Sequence, residues 1–298
     1  MEKFQPITTE NIVSLLPFFG MQTSRICDNT IGAIYQWRNN YQSHFAVAGG
    51  LLCIRATGYT GCNSHYVFPL GSGGTDGALT FIEQDAAAAG KALCYTAVPR
   101  HALPILQARY GDRMKVESPR DWADYLYTVE QFLTYSGKPL HTQRNHVNRF
   151  TRENPDAETL PITDALLPAC MTFLEEYAER HADMSDTERG EIAGTRDLLL
   201  MRNLLRQKAW CLALHDRVIA LSVGEEVGDT LFVHAEKADP SFSGIYPAMA
   251  QAFAQKAVTT ATYINREDDT GDPGLRYSKM NYRPISLLEK YLVKITSP

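Results

Sequence analysis

The sequence predicts an α/β (α+β) chain of two tandem units, each a mixed sheet flanked by helices. Three observations carry this. The order strands, Gly/Ser loop, Ala-rich helix, strand occurs twice, once in YVFPLGSGGTDGALTFIEQDAAAAGKALCYTAV and once in LFVHAEKADPSFSGIYPAMAQAFAQKAVTTATYI. With 298 residues, 44% hydrophobic and 21% charged, the chain has the composition of folded protein and the length of two domains. A polar stretch with two prolines, residues 151–161, separates the repeats, which gives units at 1–150 and 151–298.

In the first repeat, strands are predicted over 33–37, 45–47, 51–56 and 66–70, each a short apolar or aromatic run. Gly49-Gly50 supplies a hairpin turn. Residues 71–76 form a Gly-rich loop, followed by an Ala-rich helix over 77–89 and a strand over 92–98. Pro99 and Pro104 bracket the entry to a helix over 102–110. In the second repeat, helices are expected over 166–181 and 196–208. Strands over 210–214 and 218–223 are joined by His215-Asp216-Arg217. A strand over 231–236 alternates its faces, Asp239-Pro240-Ser241 is a turn, and a helix over 246–258 leads to a strand over 261–265.

Composition excludes collagen-like, low-complexity and disordered chains. The longest apolar run, residues 45–54, contains two glycines and falls short of the about 20 residues a spanning helix needs. The N-terminus lacks the basic start and long apolar stretch of a signal peptide, so the expected location is cytoplasmic. None of the six cysteines forms a C-x-x-C pair. They read as small core residues, with neither a metal site nor a disulfide framework expected. A net charge of −5 argues against a protein that coats nucleic acid.

Local charge is different. Between Glu130 and Glu153 there is no acidic residue. A helix over 140–152 places His141, Arg144, Asn145, Asn148, Arg149 and Arg152 on one side and Leu140, Gln143, Val147 and Phe150 on the other. That face suits phosphate. A second cluster, Asn265-Arg266-Glu267-Asp268-Asp269 with Arg276 and Lys279, follows a strand end, where open α/β sheets bind ligands. Its carboxylates would orient the cations toward an anion. On the strand over 231–236 and just beyond it, alternation puts His234 and Glu236 on one face and Lys237 on the other. A His and a carboxylate together are acid/base candidates. Gly244 and Tyr246 enter a helix whose first N–H groups suit phosphate. P-loop, dinucleotide, nucleophile-elbow and H-E-x-x-H motifs are absent.

Taken together, Asp124-Tyr125-Leu126-Tyr127, Gly137-Lys138, Arg144-Asn145-His146-Val147-Asn148-Arg149-Phe150, His234-Ala235-Glu236-Lys237, Gly244-Ile245-Tyr246, Ile264-Asn265-Arg266-Glu267-Asp268-Asp269, Arg276, Lys279, Tyr282 and Lys290-Tyr291 resemble a bacterial family related to the C-terminal domain of phosphatidylglycerol lysyltransferase. The resemblance implies two N-acetyltransferase-like units in one chain. It also implies transfer of an acyl group from acyl-CoA or aminoacyl-tRNA to an amine or hydroxyl acceptor, by direct attack and with no further cofactor. Glu236 or His234 would be the base. Arg144, Arg149, Arg266, Arg276 and Lys279 would hold donor phosphates, while Asn145, Asn148 and Asn265 orient polar groups. Lys237, Gly244, Tyr246 and Glu267 complete the expected site. The alternative is a non-catalytic module binding CoA, a nucleotide or tRNA through the same basic face. The lysyltransferases carry membrane helices and this sequence shows none. The acetyltransferase phosphate loop has its counterpart here at residues 239–246, with one Gly.

Overall fold

The computed structural model describes residues 3–20, 23–58, 62, 64–181 and 183–296. In chain order, β1 (Gln5–Pro6), α1 (Leu16–Phe19) and α2 (Ile31–Trp37) precede β2 (His44–Ala48), β3 (Leu51–Ala56) and β4 (His65–Val67). Next come α3 (Asp76–Ala88), β5 (Leu93–Val98), α4 (Leu103–Tyr110), β6 (Met114–Glu117) and β7 (Asp124–Thr128). Then follow α5 (Val129–Thr134), α6 (His141–Glu153), β8 (Glu158–Pro161), α7 (Leu167–Arg180), α8 (Asp186–Met201), β9 (Lys208–Leu214), β10 (Arg217–Val227) and β11 (Thr230–Ala238). The chain finishes with α9 (Ile245–Ala257), β12 (Tyr263–Asn265), α10 (Pro273–Asn281), β13 (Ser286–Leu288) and β14 (Tyr291–Ile295).

Most elements lie where the sequence put them. Residues 33–37 are the exception: they are helical, not extended. The Thr30 hydroxyl accepts the Ala33 N–H and caps α2, and burial of Ile31, Ala33 and Tyr35 holds the helix against the β-propensity of its aromatics. The helix expected over 196–208 starts earlier, at Asp186. A capping box of Ser185 and Glu188 opens it there. It ends at Met201, beyond which the Arg202 guanidinium donates to the Ile162 and Leu199 carbonyls.

The described residues form two seven-stranded sheets on one plan, which bears out the expected mixed α/β class. One runs β1-β2-β3-β4-β5-β14-β6 and the other β8-β9-β10-β11-β12-β7-β13. In each, a parallel pair is joined by a crossover helix: β4 and β5 through α3, β11 and β12 through α9. The sixth place is exchanged. β14, late in the chain, lies beside β5, and β7, from the middle, lies beside β12. The compact units therefore interleave in sequence. The first is Met1–Asp124, Asp268–Gly271 and Leu288–Pro298; the second is Tyr125–Glu267 and Asp272–Leu287. A cut at residue 150 would instead fall inside α6.

The first unit's core joins Leu51, Tyr66, Leu79, Ile82, Tyr95 and Val293. The second joins Tyr127, Phe132, Leu231, Met249, Phe253 and Ile264. Cys62 and Cys94 are bonded as a disulfide, contrary to the expectation that all six cysteines are free. The physical reason is the parallel pairing of β4 and β5, which sets the starts of both strands side by side. Cys27, Cys53, Cys170 and Cys211 lie outside the disulfide and are buried, as expected.

The first unit also buries a charged cluster. Lys290, 1% exposed, bonds Asp28 and Asp124 at 2.8 Å and Asp268 at 2.9 Å. Cys27, Asp28 and Asp124 bring their ligand atoms within 4.8 Å of one another, but the Lys290 ammonium already supplies the cation there. No helix among the described residues is long and apolar enough to cross a membrane.

Candidate functional site

In the second unit a β-bulge breaks the alternation of β11. Val223 pairs with Ala235 but Gly224 pairs with Val233, so His234 is the extra residue. A Cβ on Gly224 would lie 2.0 Å from the Phe232 carbonyl oxygen, so only glycine fits opposite the bulge. Pairing with β12 ends at Phe232 and Asn265, while β11 continues to Ala238. The carboxyl ends of the parallel pair thus separate, and side chains fill the opening.

His234 and Glu236 consequently do not share a face, contrary to the sequence expectation. Glu236 joins Leu231 and Val233 around a cavity of about 10 Å³. His234 is buried between two carboxylates: Nε2 lies 3.0 Å from Glu225 and Nδ1 2.9 Å from Glu267. Burial pulls the imidazole pKa down, but hydrogen bonds and charge from Glu225 and Glu267 outweigh it and raise it to about 9. The ring is therefore an imidazolium at neutral pH, with no lone pair to act as a base. Glu267 reaches it from a left-handed turn, φ 58°, and its N–H donates to Asn265 Oδ1 at 2.6 Å.

Arg266 crosses to Glu236, Nη2 to Oε1 at 2.8 Å. Its guanidinium lies 4.7 Å from the Tyr282 ring centroid and 5.4 Å from that of Phe132, in cation–π range. Nη1 is buried with no hydrogen-bond partner among the described residues, and Arg266 lines the same small cavity as Glu236. Burial raises the Glu236 carboxyl above its usual range, although Arg266, Lys279 and Lys237 oppose the shift. Lys279 donates to the Arg266 carbonyl at 2.6 Å and so fixes the turn; it is not free for an anion. Tyr127 in turn donates to the Lys279 carbonyl.

The remaining expected residues are dispersed. Lys237 pairs with Glu191 at 2.7 Å and lies over Tyr177. Arg144 donates to the Tyr135 and Gly137 carbonyls and anchors the start of α6, so it too is engaged by the fold. Asn145, Asn148, Arg149 and Arg152 stand exposed on α6, and Gln143 and Phe150 are buried, as the helical spacing predicted. Arg149 pairs with Glu153 at 2.9 Å. Gly244, φ 80°, caps α9 where a Cβ would sit 2.2 Å from the His146 carbonyl oxygen, which locks α9 against α6. Tyr246 bonds the Ala238 carbonyl at 3.4 Å. The backbone N–H groups of Ser241, Phe242 and Ile245 are used inside the loop. Arg276 lies on α10, held from Asp272 through its backbone.

The family described as "Phosphatidylglycerol lysyltransferase, C-terminal" matches residues 21–294, a range that includes all of these positions. The chain belongs to this family. A conserved protein from Bacteroides thetaiotaomicron has the same fold at TM-score 0.91 and 29% identity, over 99% of this chain and 100% of that one. L-PGS from Bacillus licheniformis is similar at TM-score 0.68 and 13% identity, over 99% and 93%, a likeness of fold. A Mycoplasmoides gallisepticum protein, MYCGA3080, is 24% identical over 177 residues. That match spans 58% of this chain and 56% of the relative, so little over half the relative's length is covered.

Sequence reasoning missed Glu225 as the second partner of His234, and Phe132 as the floor under Arg266. Glu225 becomes visible only once the bulge is known, because alternation alone points the wrong side chains together.

Proposed function

We propose that the chain transfers an acyl or aminoacyl group, with the reacting carbonyl and the acceptor amine or hydroxyl meeting at Glu236 and Arg266. Membership of the lysyltransferase-related family supports transfer in general. The observation that carries this reading is the pairing of a carboxyl raised by burial with a guanidinium that keeps one unspent donor. Both lie at the separated carboxyl ends of β11 and β12. Such ends are where open α/β sheets take ligands.

The cavity there holds about one small group, which suits a carbonyl oxygen rather than a whole substrate. Arg266 Nη1 would donate to the developing oxyanion. Glu236 would take the acceptor's proton as its nitrogen or oxygen attacks, and the donor's thiol or tRNA hydroxyl would leave. His234 is a positioning residue: it holds Glu267, whose turn presents Arg266. The exposed Asn145, Asn148, Arg149 and Arg152 face would meet phosphates of acyl-CoA or aminoacyl-tRNA.

The test is a panel of coenzyme A, acetyl-coenzyme A, and uncharged and aminoacylated tRNA, read by thermal shift and by turnover with amine acceptors. A ligand at 100 times its Kd should add about 2.7 kcal/mol of stability. Binding of one donor and turnover that Glu236→Gln removes would support the reading. No shift with any of the four would remove it.

A further inference from the structure

The sheet of the first unit ends on an open edge. β6 lies outermost, bonded to β14 on one side, and no strand among the described residues pairs with its other side. The register sets Met114 against Ile295, Lys115 against Lys294, Val116 against Val293 and Glu117 against Leu292. One step earlier in the same register, the Thr296 N–H donates to the Arg113 carbonyl at 2.9 Å. Bonded pairs alternate along an antiparallel ladder, so Arg113, Lys115 and Glu117 direct their backbone groups to β14. Met114 and Val116 direct theirs outward. Lys115, Val116, Glu117 and Ser118 are exposed, Val116 by 44%. An open edge that carries an exposed β-branched side chain is a template for a further strand.

We propose that β6 pairs with β6 of a second copy of this chain, antiparallel and centred on Val116, so that two first-unit sheets join into one. The two-fold axis then passes through the Val116 pair, whose outward N–H and C=O groups bond each other. On either side, Lys115 faces Glu117 of the second copy. These are non-bonded positions, where side chains approach most closely, and the charges are opposite. Within one copy Lys115 stands opposite Lys294, which Glu117 holds at 3.0 Å. A carboxylate from the second copy balances that pair of like charges. Other two-fold registers fail. Centring on Met114 sets Arg113 against Lys115, and centring on Lys115 or Glu117 sets like charges against each other. Centring on Ser118 runs into the turn at Arg120–Trp122. The strand is short and the contact small, so the dimer is transient, with a Kd of about 10–100 µM. The surface lies wholly within the first unit and does not depend on the transfer reaction assigned to the second.

Sedimentation velocity of the full chain, from about 5 to about 500 µM, should show reversible exchange between monomer and dimer. Val116→Pro removes the outward N–H and leaves the bonds to β14 in place, since an edge strand tolerates proline where its N–H faces solvent. That variant should fold and dimerise at least about tenfold more weakly. Lys115→Glu and Glu117→Lys should each weaken self-association at least about tenfold, because like charges then face each other twice. Mixed in equal amounts, these two variants should form a mixed dimer with an affinity close to wild type, since every facing pair is again Glu with Lys. This recovery tests the register even if Val116→Pro folds poorly. A monomer throughout the range would overturn the proposal and leave the edge to a strand of a different protein or to solvent. A dimer unmoved by the charge reversals, or a mixture that shows no recovery, would overturn it too.

Discussion

The two units share one sheet plan, yet they treat the open end of the parallel pair in opposite ways. In the second unit, Arg266 and Glu267 follow β12 and reach back to Glu236 and His234, leaving about 10 Å³. In the first, Pro99 and His101 follow β5, no Asp, Glu, Lys or Arg among the described residues lines the opening, and about 110 Å³ stays open. The first unit gathers a buried charged cluster elsewhere, Lys290 with three aspartates. Two copies of one architecture thus carry a buried carboxyl–guanidinium pair at one opening and a larger cavity at the other. The lesson is that the fold supplies the opening, and the few residues after each strand decide its chemistry.

The sharpest way to break this comparison is to remove charge from each unit. Glu236→Gln should lower turnover by about 10²–10⁴-fold, the usual contribution of a general base, with donor binding kept. In the first unit, Lys290→Met should leave three carboxylates facing one another in the interior. The expected loss of stability is about 3–5 kcal/mol by urea unfolding, with no specific effect on donor affinity.

A pH titration of stability examines His234. Its folded pKa, about 9, lies above the ordinary value, so its contribution is complete below about pH 6.5 and fades as pH rises through 9. The loss should be on the order of 3 kcal/mol across that window, since each pKa unit is worth about 1.4 kcal/mol. His234→Gln should flatten the profile there. The smallest effect belongs to Arg149→Ala and Arg152→Ala. These residues are exposed, so stability should change by less than about 0.5 kcal/mol, while affinity for a phosphate-bearing donor falls.

How far these features were legible in the sequence follows from how local their causes are. α6 was legible because its spacing alone sorts Phe150 inward and Arg149 outward. The repeated order of elements was visible because each crossover helix and its loop are contiguous. The unit boundary was not, because β7 and β14 are exchanged between sheets, an event that leaves no trace in local pattern. The relation of His234 to Glu236 was misread for a similar reason. Alternation holds along a strand only until a bulge, and this one is set by the contact of Gly224 with the neighbouring strand. The Arg266 cluster was legible as a dense run of charges after a strand end, because its residues are contiguous in sequence. That Arg266 and Lys279 are held within the fold required knowing that Glu236 and the Arg266 carbonyl lie beside them.

The most direct measurement is single-turnover transfer by wild type and Glu236→Gln, at saturating concentration of whichever donor the binding panel identifies. The rate should be at least a hundredfold slower in the variant with donor affinity close to wild type, while the melting temperature falls because the buried Arg266 loses its carboxylate partner. Equal rates in the two proteins would contradict it and move the chemistry away from the β11–β12 opening.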